Sequence, residues 1–441
     1  MKENFSTSLI RAAAGAAWEV KMKRLIFHID VNSAFLSWEA VHRLHHLGGR
    51  LDLREIPSAV AGDAAMRHGI ILAKSIPAQK YGIHTGEAVW EARQKCPRLL
   101  LVPPNYSLYE KASGALMEIL REYTPGVEQY SIDEAFLDMT GTREQRESPE
   151  EAAEQIRGRI CRELGFTVNV GISENKLLAK MASGLKKPDL VHTLFPEEVK
   201  QKMWPLPAGK LFFVGRATAR KLHSLGIHTI GELALSDPAV LRYHLKKHGE
   251  VIWEFANGKD ISVVEAEAPP NKGYGNSTTI AFDVTDAAVA KMVLLALSET
   301  VSARLRKHNV KAEVICVGIK DSSLCYASHQ MTLTSATDIT AEIHAAASRL
   351  FDELWDGSPI RHLGIHTGRI RDGETYRQTD IFDRTDYEKL ERMDRTVDQI
   401  RAKYGIDAVK RAVFLKTPVD HMSGGISREK RKVDYSRLKI E

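Results

Sequence analysis

Cysteine is scarce in this chain, and long apolar runs are absent. The four cysteines among 441 residues, Cys96, Cys161, Cys316 and Cys325, are widely scattered. They form no C-x-x-C pair and no Cys/His ligand spacing, which argues against structural zinc and a disulfide framework and suits a reducing cytoplasm. No stretch approaches the roughly 18 apolar residues of a membrane span. Residues 1–21 make a poor signal peptide, because their alanine-rich run is broken by Arg11 and by Trp18-Glu19. A disordered leader is expected there, with Met22 as an alternative start. Excess charge of one sign is also lacking: 62 Lys+Arg stand against 57 Asp+Glu, a net +5. That balance fits a nucleic-acid partner without requiring one.

What is present is an ordinary globular composition, 43% hydrophobic and 27% charged, in a chain long enough for three or four domains. The run Arg24-Leu-Ile-Phe-His-Ile-Asp30 reads as a buried strand that delivers a carboxylate at its end. A helix is predicted over 33–47, strands over 70–73 and 99–102, and a helix over 107–123. A helix over 149–164, a buried strand over 166–172 and a helix over 176–185 follow. Glycine-punctuated helical pieces over 206–235 read as a separate domain, and 265–275 as a linker. Beyond it the pattern is strand, helix, strand, strand, helix, strand, the split order of a small α+β domain. Residues 423–441 carry Arg428, Lys430, Arg431, Lys432, Arg437 and Lys439 against three acids, which suggests a flexible basic tail.

The residues that carry chemistry are acids. Joining a hydroxyl to a nucleotide phosphorus calls for two divalent ions about 4 Å apart. Hard Mg²⁺ takes oxygen ligands, usually a few carboxylates together with substrate phosphates. Asp30 at one strand end and the Asp133-Glu134 pair in another apolar segment could converge to supply them. A strand-end aspartate and an acidic turn are also common surface features, so on pattern alone both readings stand.

Three motifs narrow the choice. His28-Ile-Asp-Val-Asn-Ser-Ala-Phe-Leu-Ser-Trp-Glu39, Tyr130-Ser-Ile-Asp-Glu-Ala-Phe136, and the stretch from Val170-Gly-Ile-Ser-Glu-Asn-Lys176 to Lys187-Pro188 resemble, in order and at similar separations, the motifs of the Y-family DNA polymerases. The likeness runs from about Arg24 to Phe414. It implies an α+β multidomain right hand: a palm (22–33 and 105–190), fingers (34–104), a helical thumb (191–262), a linker (263–275) and a β-α-β-β-α-β little finger with its following segment (276–415). A basic tail (416–441) would follow. The implied activity is error-prone translesion synthesis from deoxynucleoside triphosphates on primer-template DNA. Two Mg²⁺ ions, or Mn²⁺ in their place, would be held by Asp30, Asp133, Glu134 and the Val31 carbonyl. Phe35 would exclude a ribose 2′-hydroxyl, and Lys187 would meet the triphosphate as a point charge.

Two departures from the family pattern stand out. The loop 74–82 has Ile76 and Gln79 where the family usually places a tyrosine and an arginine on the triphosphate, leaving Gln79, Lys74 and Lys80 as the available contacts. Asn32 replaces a second acid. Phe213-Val-Gly-Arg-Ala-Thr-Ala-Arg-Lys-Leu222 resembles a helix-hairpin-helix. There Gly215 would let backbone N–H groups approach a DNA phosphate, and Arg216, Arg220 and Lys221 would add charge. Phe213 stands where a glycine is often seen. Gln378-Thr-Asp-Ile-Phe-Asp383 resembles the short peptide that docks on the bacterial sliding clamp, with Ile381 and Phe382 as apolar anchors. His42, His45 and His46 share a helix, but without a further ligand they read as a solvated face. A monomer is expected. The rival reading is a DNA- and clamp-binding adaptor that has lost catalysis, and such a chain would be expected to have lost its acids.

Overall fold

A computed structural model describes residues 23–63, 67, 69–145, 148–373, 376, 377 and 382–422. The expected leader, residues 378–381 of the clamp-like peptide and residues 423–441 of the basic tail lie outside the described residues.

In chain order the main elements are β1 (Ile26–Val31), α1 (Ala34–His46), β2 (Ser58–Ala61), β3 (Ile71–Lys74), α2 (Ile76–Gln79), α3 (Val89–Lys95) and β4 (Leu100–Val102). Next come α4 (Tyr106–Arg121), β5 (Val127–Gln129), β6 (Glu134–Asp138), α5 (Pro149–Leu164), β7 (Val168–Ser173), α6 (Lys176–Ser183) and β8 (Val191–Thr193). The helices α7 (Arg216–Ser224), α8 (Ile230–Leu235), α9 (Pro238–Leu245) and α10 (Lys247–Ala256) follow. Last are β9 (Gly275–Val284), α11 (Ala287–Lys307), β10 (Val310–Asp321), β11 (Tyr326–Thr337), α12 (Thr340–Leu354), β12 (Ile360–Asp372) and α13 (Tyr387–Tyr404). Two compact units result. One holds the chain up to Arg54 with Leu108–Ala268, the other Glu55–Ser107 with the chain from Pro269. Helix α1 falls in the first unit, and β2–β4 fall in the second.

The first unit is built on the sheet β5-β6-β1-β7-β8. Ile26, Phe27, His28 and Ile29 are all fully buried, as a central strand flanked on both edges requires. Antiparallel register sets Asp30 opposite Glu134 on one side and Asn169 on the other. Helix α5 starts where Ser148 accepts the Glu151 N–H and Pro149 occupies the first turn, and it ends at Gly165 with φ +73°. Helix α6 starts under Asn175, whose side chain accepts the Leu178 N–H at 2.8 Å. It packs so tightly on β7 that a β-carbon at Gly171 would lie 2.0 Å from the Ala179 carbonyl oxygen.

The helices α7–α10 share their core with α6. Leu177, Leu178 and Met181 of α6 belong to the same apolar core as Leu222, Ile230, Leu233, Leu241 and Ile252. Burying two leucines contributes about 3–6 kcal/mol, so α6 is tied to the sheet and to the helices alike.

In the second unit β9–β12 form an antiparallel sheet of order β11-β10-β12-β9. Helices α11 and α12 share its core through Leu294, Leu297, Val301, Ile343 and Leu350, so the expected β-α-β-β-α-β order is present. Packed structure continues past residue 415, where the tail was expected to begin: Val419 joins this core and His421 is 1% exposed. Strands β2–β4 form a separate small sheet, with β2 and β4 parallel. Among the described residues, no helix is long and apolar enough to cross a membrane.

Candidate active site

Strand pairing gathers the acids. Asp30 ends β1, Glu134 opens β6 as its cross-strand partner, and the Val31 N–H donates to the Asp133 carbonyl at 3.0 Å. Val31 itself is buried. Each carboxylate already has one oxygen engaged. The Ser131 hydroxyl donates to Asp133 Oδ1 at 2.7 Å, the Lys187 ammonium to Asp30 Oδ1, and the Lys180 ammonium to Glu134 Oε2. Burial pushes the Asp30 carboxyl above its ordinary range; Lys187 opposes that rise, while the charges of Glu134 and Asp133 add to it. Burial would raise Glu134 too, but His28 and Lys180 beside Oε2 outweigh it and hold the group at about 2.

These oxygens suit hard cations. Among the described residues, no group of three or more His, Cys, Asp or Glu side chains is placed so as to hold a metal ion by itself. A cavity of about 360 Å³ opens beside the acids, bordered by Asp30, Glu134, Lys180, Lys210 and Phe212.

The remaining predicted residues fall in different places. Phe35 on α1 stacks on Tyr109 with centroids 4.4 Å apart and lies 5.9 Å from Trp38, so its ring is held rigidly within an aromatic cluster. Asn32 donates to Thr167 Oγ1 at 3.1 Å. Lys74, Gln79 and Lys80 belong to the second unit. Lys74 ends β3 with Nζ 3.4 Å from Thr85 Oγ1, and burial lowers its pKa against the opposing charge of Glu87. Gln79 ends α2, and both it and Lys80 are exposed. Phe382 is 87% exposed.

The segment resembling a helix-hairpin-helix has Gly215 as the N-cap of α7, with no side-chain cap. Arg216, Arg220 and Lys221 are exposed. Phe213, in place of the usual glycine, adopts φ +72°, so the backbone keeps the left-handed turn despite the side chain.

Two residues without an assigned role complete the cluster. His28 Nε2 lies 3.6 Å from Glu134 Oε2 and 3.5 Å from Lys180 Nζ. Burial pushes its pKa down to about 4, against the Glu134 carboxylate, which favours the charged ring. The signals for both were available: residues 28 and 30 share a strand face by the two-residue period, and Lys176, Lys180 and Ser183 share a helix face.

Comparison with known proteins defines the class. The model of the impB/mucB/samB family matches residues 29–184, that of its C-terminal domain 271–381, and that of its HHH motif 196–227. The chain belongs to this family, the Y-family DNA polymerases. Among its relatives, a protein called DNA polymerase IV from Clostridium acetobutylicum is 46% identical over 90% of this chain and 99% of its own length. DNA polymerase IV of Acetivibrio thermocellus is 39% identical over 90% of this chain and 98% of its own length. DNA polymerase IV 1 of Bacillus subtilis is 37% identical over 89% and 94%. A solved chimeric Y-family DNA polymerase shares the fold with a TM-score of 0.68 at 22% identity, covering 78% of this chain and 99% of that one.

Proposed function

We propose that this chain is a DNA-directed DNA polymerase performing error-prone translesion synthesis, transferring nucleotides from deoxynucleoside triphosphates to a primer 3′-hydroxyl. The observation that carries this reading is the register that sets Asp30 beside Glu134 and bonds Val31 to Asp133. The family relationship supports dependence on divalent cations. Asp30, Asp133, Glu134 and the Val31 carbonyl would hold two Mg²⁺ ions, with Mn²⁺ as a substitute. Bound there, such ions would lower the pKa of the attacking hydroxyl and stabilise the charge of the departing pyrophosphate.

The chain's own residues then bind and orient. Lys187 exchanges its Asp30 partner for a triphosphate oxygen. Phe35, fixed by Tyr109, meets the sugar where a 2′-hydroxyl would project. Lys74, Lys80 and the uncharged Gln79 are the candidate triphosphate contacts of the second unit. Gly215 and the basic residues of α7 grip DNA through phosphates, which makes binding sequence-independent and salt-sensitive. Residues 378–382 are the candidate sliding-clamp peptide, and the protein would act as a cytoplasmic monomer.

The adaptor reading is not favoured, because all three acids are present and brought together by strand pairing. Primer extension with Mg²⁺ and deoxynucleotides on damaged and undamaged templates tests the proposal. Wild type should extend both, and Asp133→Ala/Glu134→Ala neither. Equal inertness of the two would leave the adaptor.

A further inference from the structure

We propose that Lys180 is a positioning residue of the carboxylate site: its ammonium, anchored by His28, fixes which oxygen of Glu134 faces outward. The inference rests on the polymerase reading for its kinetic consequence. It rests on geometry alone for the arrangement.

Lys180 donates to one carboxylate oxygen of Glu134, Oε2, and His28 Nε2 lies 3.6 Å from the same atom. A carboxylate held by one oxygen has its other oxygen free to turn to a cation, which favours single-oxygen ligation over a chelate. The holding group is itself confined. Lys180 Nζ sits 5.0 Å from the ring centre of Tyr130 and 5.4 Å from that of Phe212. The ammonium thus has aromatic faces in place of much of its water.

The proton count around His28 shows how the lysine is anchored. Ser183 has one hydroxyl proton and donates it to the Lys180 carbonyl at 2.9 Å. Its oxygen therefore accepts from His28 Nδ1–H at 2.7 Å. A neutral ring with its proton on Nδ1 leaves Nε2 as an acceptor, and Lys180 Nζ stands 3.5 Å from it. The histidine thus acts on Glu134 through the lysine. It cannot drift, because it is fully buried and packed on Phe136 with centroids 4.7 Å apart. An exposed ion pair would contribute little, but here both side chains are about four-fifths buried, at 18% and 21% exposure.

The experiment compares wild type with Lys180→Met, Lys180→Arg and His28→Phe. It uses single-turnover primer extension, Mn²⁺ titration followed by electron paramagnetic resonance, and thermal melting. Misorienting a carboxylate should lower the Lys180→Met rate by about 100-fold, with apparent nucleotide affinity held within about 3-fold. Its Mn²⁺ affinity should be equal or tighter, since a competing positive charge has gone. Lys180→Arg should recover much of the rate. His28→Phe should fall between, because it frees the lysine without removing its charge and keeps a ring against Phe136.

A Lys180→Met rate within about 3-fold of wild type overturns the proposal. So does a loss of nucleotide affinity at unchanged rate, which would make Lys180 a direct phosphate contact. Mn²⁺ binding weakened about 10-fold or more in folded Lys180→Met also overturns it. Should wild type itself fail to extend primers, the polymerase reading falls. The Mn²⁺ titration then still judges the arrangement: equal or tighter binding by Lys180→Met supports it, and weaker binding overturns it.

Discussion

Replacing Gly171 by alanine probes the packing on which the site depends. The added β-carbon would lie 2.0 Å from the Ala179 carbonyl oxygen and 2.4 Å from the Ser183 amide nitrogen. Both are backbone atoms, so no rotamer change gives relief. Ordinary contact begins near 3.4 Å, so α6 must retreat from β7 by about 1.4 Å on the 6–12 repulsion alone. Overpacking of this kind costs about 1–3 kcal/mol, and the shared α6 core leaves the helix little room to move. The larger effect should be on rate, because α6 carries Lys180 and Ser183, and a misplacement of about 1 Å can cost 100-fold. Urea unfolding and single-turnover extension well below the melting temperature measure the two effects separately. Gly158→Ala is the control. That glycine lies inside α5 and meets only the flexible tip of Arg162, so alanine there should stabilise by about 0.5–1 kcal/mol. A Gly171→Ala protein with an unchanged midpoint and a rate within about 3-fold of wild type would refute the reasoning.

Substitutions at two further positions test the backbone turn at Phe213 and the buried charges of the second unit. At Phe213, with φ +72°, alanine and glycine both lose the ring contacts to Phe212 at 4.7 Å and Phe255 at 5.6 Å. Glycine also sheds about 1–2 kcal/mol of left-handed strain, against roughly 0.5–1 kcal/mol of extra unfolded-state entropy. Phe213→Gly should therefore be the more stable by about 0.5 kcal/mol in chemical denaturation; alanine equalling it would sink the argument. Glu299 is 3% exposed and receives Arg401 at 2.9 Å and Arg411 at 2.5 Å. Glu299→Gln should cost about 3 kcal/mol by leaving the largely buried Arg401 without its counter-charge, and should open the segment after α13 to proteolysis. A loss below about 1 kcal/mol with unchanged cleavage would count against it.

The strands that carry the candidate acids were legible because their signal is local: an apolar run that ends in Asp30, and a second apolar segment opened by Asp133-Glu134. The α+β order after the linker was legible for the same reason, since α11 shows its apolar face at three- and four-residue spacing. Tertiary choices were not visible. Nothing in 206–235 alone says that its core is completed by Leu177 and Leu178, because the strong amphipathic face of α6 reads equally well as packing on the sheet alone. Residues 416–422 were placed in the tail, yet Val419 joins Phe414 in the core that holds Leu294 and Leu297. Lys180 was hidden by a different ambiguity. A lysine on a helix is usually a solvated charge, and only the β6 register places an acid at its tip.

Electrostatics explains why the lysines and the acids need each other. Three carboxylates on adjoining strand ends repel one another, and burial has already pushed Asp30 upward. Two ammonium groups, Lys180 on Glu134 and Lys187 on Asp30, leave the cluster near a net charge of −1, low enough to keep the strands paired. The two lysines nevertheless differ in freedom: the Lys187 side chain is 43% exposed and that of Lys180 only 18%. On the proposed function a triphosphate would draw the first away, whereas the second is confined by His28 and two aromatic rings. A triphosphate that took Lys187 from Asp30 in this way would remove the positive charge beside that carboxylate and leave its oxygen open to a cation carried by the phosphates. By linkage such a cation would strengthen the hold on substrate to the same degree. On that reading, one exposed and one confined lysine would make the acidic cluster stable before substrate binds and receptive once it does.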